Sequence, residues 1–72
     1  MKAQIRLETL SDVHEFVYLT TKHRGEVYIT DNNGLKVSAK SVLGALYALE
    51  FEELWCECED DIYHLIEDFI VI

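Results

Sequence analysis

The sequence predicts an α+β fold in which one sheet is covered by helices on a single side. Four short segments alternate apolar and polar residues, the period of a strand with one buried face. Two longer segments repeat apolar residues at i, i+3, i+4 and i+7, the stripe of a half-buried helix. Between the second and third alternating segments stands Asn33-Gly34, which favours a hairpin because both residues tolerate positive φ.

The elements follow in order. Residues 2–8 place Ala3, Ile5 and Leu7 on one face and Lys2, Gln4, Arg6 and Glu8 on the other. Ser11 is then expected to cap a helix, Asp12 suits the positive end of its dipole, and Val13, Phe16, Val17 and Thr20 form the buried stripe. This helix is predicted to run to about Arg24, with Lys22, His23 and Arg24 in its last turn and Gly25 ending it in a left-handed conformation. Residues 26–30 alternate again with Val27 and Ile29 inward, and Leu35, Val37 and Ala39 mark the returning strand, joined antiparallel through a type I′ turn. Ser41 opens a short apolar segment, residues 42–49, too brief to be stable unless it lies on the rest of the fold. Residues 53–59 turn Leu54, Cys56 and Cys58 one way and Glu53, Trp55, Glu57 and Glu59 the other. The acids Glu59, Asp60 and Asp61 start a last helix striped by Ile62, Leu65, Ile66 and Phe69. Since every strand has one apolar and one polar face, a single sheet with one face open to water accounts for all four.

Length sets the scale of what can be built. Burying a large side chain contributes about 1.5–3 kcal/mol, while ordering one residue's backbone costs roughly 1–2 kcal/mol. With 72 residues, half of them apolar, nearly every apolar position must join one core, which leaves no room for an elaborate buried active site. One domain is expected, without repeats, linkers or a second unit. The net charge is -8, from 14 acids against 6 bases, and no Lys or Arg occurs from Glu50 onward. Such a chain lacks the cations that neutralise phosphates, so neither nucleic acid nor an anionic membrane is an expected partner. No stretch is long enough to cross a bilayer and Met1-Lys2 leads into alternation rather than an apolar signal run, which makes the cytoplasm the expected location. Cys56 and Cys58, one residue apart on a strand, are poorly placed for a disulfide and fit a reducing compartment. Facing the helices they act as small hydrophobes, and no second Cys pair completes a zinc set. No Ser-His-Asp spacing, Gly-rich phosphate loop or HExxH pattern appears, so neither enzymatic activity nor a cofactor or metal is expected.

This order of elements, with "VSAKSVLGAL" at 37–46 and "CECEDD" at 56–61, resembles the histidine-containing phosphocarrier protein (HPr) of the bacterial phosphotransferase system. The likeness covers nearly the whole chain and is sharpest over 37–46, which is similar to that family's V-x-A-K-S-apolar-x-G-apolar-apolar segment. It implies an open-faced β-sandwich whose four-stranded antiparallel sheet has the order 1-4-2-3, with three helices on one face. In the family, a phosphorylated histidine begins the first helix in an H-x-R-P motif, where the helix dipole, free amides and the arginine stabilise phosphate. Aligning the family's first-helix Phe-Val pair on Phe16-Val17 places that motif on residues 9–12, with Thr9 for the histidine, Ser11 for the arginine and Asp12 for the proline. The resemblance therefore implies a relative that does not carry phosphate at that position. His14, five positions later, is the alternative acceptor and is read first as a solvated helix residue. His23 is a basic residue near a helix end, and His64 flanks the last stripe.

Ser41 matches the serine that a dedicated kinase phosphorylates in many Gram-positive members of the family. Its first reading is a helix cap, and its second a candidate phosphorylation site beside Lys40. The function this supports is a regulatory or protein-binding module. Its partner-binding candidates are Lys40, Val42, Leu43, Leu46 and Tyr47, in the region the family uses for docking, with some of them needed to fill the core. Tyr28 and Trp55 on the open sheet face are further candidates, and Arg6 is expected to pair there with Glu57 or Glu53. The alternatives are a phosphocarrier using His14, or a structural subunit that dimerises through the sheet face or the tail Ile70-Val71-Ile72, a tail expected to dock either on a neighbouring element or on a second subunit.

Overall fold

The computed structural model describes all residues, 1–72. Its elements are β1 (Lys2–Ile5), α1 (Leu10–Thr20), β2 (Val27–Thr30), β3 (Lys36–Ser38), α2 (Val42–Ala48), β4 (Leu54–Cys58) and α3 (Tyr63–Ile66), the last continued by a 3-10 turn at Glu67–Phe69. The strands form one antiparallel sheet in the order β1-β4-β2-β3. That order puts the last strand in the middle. Register aligns Ala3, Cys56 and Ile29 across three strands, and Cys58 with Val27. Of these, Val27, Ile29, Cys56 and Cys58 join Phe16, Ile62 and Ile66 from the helical layer in one core. Phe16 and Phe69 pack edge to face, with ring centroids 5.5 Å apart, tying α1 to the chain after α3.

Several ends differ from expectation for local reasons. Thr9, not Ser11, caps α1, so the helix starts at Leu10. It stops at Thr20 rather than near Arg24 because the chain tightens there: the amides of Lys22 and His23 reach only to the carbonyls of Leu19 and Thr20. Gly25 does not adopt positive φ; the Lys40 ammonium donates instead to the His23 carbonyl and satisfies this corner. Positive φ occurs at Gly34 alone, so Asn33-Gly34 does not form a type I′ turn. The Asp31 carboxylate organises a longer loop by accepting from the amides of Asn33 at 2.8 Å and Leu35 at 2.9 Å. At the last helix, Asp61 alone of the three acids bonds the first turn, accepting from the Tyr63 amide at 2.9 Å.

The terminal tail lies along its own sheet. Arg6 donates to the Phe69 carbonyl, Val71 donates to the Gln4 carbonyl, and Ile70 bridges Ile5, so 69–71 cover the outer edge of β1. Of the two roles expected for the tail, docking on a neighbouring element is the one seen within the chain, with Ile72 left exposed.

α2 is built differently from α1. It turns Ala45 and Ala48 into the core, and Gly44 brings its backbone against β3, where an added Cβ would stand 3.0 Å from the Ser38 carbonyl oxygen. Small inward residues let the helix sit close, which leaves Val42, Leu43 and Tyr47 outside while Leu46 packs partly against the core.

Candidate functional site

The start of α1 is where the resemblance would place a phosphoryl group. There the chain closes a capping box on itself: the Asp12 amide donates to Thr9 Oγ1 at 3.0 Å, and the Asp12 carboxylate accepts from the Thr9 amide at 3.3 Å. Asp12 Oδ2 also accepts from the Glu8 amide at 2.9 Å. A carboxylate of the protein itself therefore occupies the positive end of the helix. Beside it lies an open depression of about 480 Å³, lined by Arg6 together with Glu8, Asp12 and Asp68. One cation among three carboxylates repels a phosphate rather than holding it. His14 is exposed, on the body of α1 beyond its first turn, and no imidazole lines this depression.

Ser11, expected to cap the helix, is exposed and makes no cap. Both Thr9 and Ser11 can accept from amides, but only Thr9 has a carboxylate three residues on that reaches back to its own amide. Thr9→Ala is expected to cost about 1 kcal/mol, whereas Ser11→Ala should fall within about 0.5 kcal/mol of wild type. Urea denaturation of the two variants separates the assignments.

At the second helix, Ser41 acts as expected: its Oγ accepts from the Gly44 amide at 3.1 Å and it caps α2. Lys40 is half-buried and its ammonium is held by the His23 carbonyl at the end of α1, where it links two elements. Val42, Leu43 and Tyr47 are exposed by 36%, 80% and 56%, while Leu46 packs partly against the core. Of the four apolar candidates, then, three form a surface and Leu46 serves the interior. The Tyr47 ring meets Phe51 edge-on at 5.8 Å.

The open sheet face is covered by its own side chains. Trp55 stands between Gln4 and Thr30, and Lys2 lies over its ring at 5.5 Å. Tyr28 pairs across the strands with Glu57 and Ser38, and Lys36 lies 4.7 Å from its ring while reaching Glu57 at 3.6 Å. Lys36, not Arg6, is the partner of Glu57: β1 ends at Ile5, and Arg6 lines the depression shared with the tail residues. Both aromatic candidates are half-buried, each with a lysine ammonium near its ring. Beside them a groove of about 380 Å³ collects Glu26, Glu57, Glu59 and Asp60. No three His, Cys, Asp or Glu side chains converge as a metal-binding set. Cys56 and Cys58 are free and buried, and burial, with the neighbouring Cys58 thiol second, pushes the Cys56 thiol up to about 12.

Two features escaped sequence reading. The Asp12 carboxylate fills the helix start as well as favouring its dipole, and the T-x-x-D spacing of a capping box was its signal. Lys40 bonds an element 17 residues away, for which no local pattern exists. No protein-family model, curated protein or solved structure gives a significant match to the chain. No helix is long and apolar enough to cross a membrane.

Proposed function

We propose that this chain is an HPr-like domain that has lost histidine phosphotransfer and serves as a regulatory, protein-binding module docking through α2. One observation carries the reading: the site at which a phosphorylated imidazole would need amides and a cation is filled by Asp12, bonded to the amides of Glu8 and Thr9. Support comes from the sheet order, which is the one the resemblance implies, and from Ser41, which caps α2 at the serine of the 37–46 segment. For the docking half, support comes from an apolar helix surface that the core leaves outside. Phosphate on Ser41 would stand at the start of that surface, and because Ser41 Oγ caps Gly44, modification would exchange a hydroxyl cap for a dianionic one.

The test is intact-mass measurement after incubation with the phosphoenolpyruvate-dependent kinase of the phosphotransferase system, then with the family's ATP-dependent serine kinase. The first reaction should add nothing. An acid-labile phosphoryl group on His14 or any other histidine would replace this reading with that of a phosphocarrier using a non-standard acceptor. An acid-stable group absent from Ser41→Ala would identify Ser41 as the regulatory site.

A further inference from the structure

We propose that the partner of α2 is a protein surface with an apolar centre and a basic rim, an inference that rests on the reading of α2 as a docking element. The apolar half of the match is structural. Leu43 and Tyr47 follow at i and i+4 on α2, and after Ala48 the chain tightens into a turn in which the Glu50 amide donates to the Tyr47 carbonyl at 3.0 Å. Leu43 and Tyr47 therefore share one exposed face, and exposed Glu50 follows in the turn at its end. Tyr47 is braced edge-on by Phe51, so a large amphipathic ring is presented with little freedom to lose on binding.

The basic half follows from charge. Glu50 and Glu52 are exposed and make no ion pair or side-chain hydrogen bond, whereas Glu53 takes the Asn32 amide at 2.7 Å. From Ser41 to Glu53 there is no Lys or Arg. The nearest cation in the chain, Lys40, is turned away to the His23 carbonyl. A surface of Leu and Tyr edged by free carboxylates, on a molecule of net charge -8, attracts cationic surfaces at long range and repels anionic ones. A second copy of this chain would bring the same carboxylates and the same net charge to the contact, so self-association through α2 is opposed.

Two synthetic amphipathic helical peptides of equal length, one of Leu and Lys and the other of Leu and Glu, provide the test. Each is titrated into the full chain by calorimetry at low and at moderate salt. The Leu/Lys peptide should bind, and the charge-neutral double variant Leu43→Ser with Tyr47→Ser should weaken it at least about tenfold. Glu50→Gln with Glu52→Gln should weaken it severalfold and flatten its salt dependence, while Tyr63→Ser, an exposed tyrosine on α3, should change nothing. All these positions are at the surface, and an unchanged urea midpoint establishes that each variant is folded. Leu/Lys binding that is indifferent to Leu43 and Tyr47 would overturn both the proposal and the assignment of docking to α2. Equal binding of the Leu/Glu peptide, lost in the Leu43 and Tyr47 variant, would overturn the basic partner and leave α2 as the docking element. Failure of both peptides to bind overturns the proposal and leaves the phosphotransfer result untouched.

Discussion

Phe16→Ala is expected to remove about 3–5 kcal/mol of unfolding free energy, the range for truncating a fully buried aromatic. Phe16 has no exposed surface and lies at the centre of the α1 stripe, edge-on to Phe69 across an 86° interplanar angle. Truncation deletes that aromatic pair and leaves a void that Val13 and Val17, stiff at χ1, cannot collapse to fill. A domain of this length is stable by only about 4–11 kcal/mol on a per-residue scaling, so the variant should stand at the edge of folding. Urea denaturation checks this through a large fall in midpoint at unchanged slope. Tyr18→Ala, exposed on the same helix, should fall within about 0.5 kcal/mol of wild type. A comparable loss at Tyr18 would contradict the assigned burial of α1.

The second large effect is alkaline destabilisation through Cys56. Its folded thiol is pushed from the ordinary 9.0 to about 12, first by burial and then by the neighbouring Cys58. Between those values the folded chain keeps a proton that the unfolded chain has released. The stability associated with this thiol is therefore fully present below about pH 9 and is lost as pH rises through the folded value. A shift of about three units corresponds to roughly 4 kcal/mol in total. Urea midpoints measured from neutral to strongly alkaline pH should fall in wild type and fall less steeply in Cys56→Ala, whatever that variant's stability at neutral pH. Equal slopes in the two proteins would place the alkaline sensitivity elsewhere.

Legibility from sequence followed the range of the interactions. Val13, Phe16, Val17 and Thr20 were readable as a buried stripe because helical period is a local property, and all four are buried. Leu54, Cys56 and Cys58 were readable for the same reason, since alternation alone assigns their face. Ser41 could be identified as a cap from its place before an apolar run. Helix ends were less legible, because Thr9 and Ser11 are both good caps and the choice depends on which one a carboxylate can reach. The turn at Asn33-Gly34 misled for a similar reason: the dipeptide permits a type I′ turn, but Asp31 binds two loop amides and stabilises a wider one.

What the sequence by itself determined is the list of elements, their faces and the absence of an H-x-R-P motif, all consequences of residue type and spacing along the chain. Tertiary structure decided the rest. It placed β4 between β1 and β2, sent the Lys40 ammonium to the end of α1, gave Glu57 to Lys36 and laid the tail on the β1 edge. It also left Leu43 and Tyr47 outside, because α2 turns Ala45, Ala48 and part of Leu46 inward and sits close on Gly44. The physical reason is common to these cases. Each depends on which distant groups reach one another once the core has closed, and hydrophobic period carries no record of that distance.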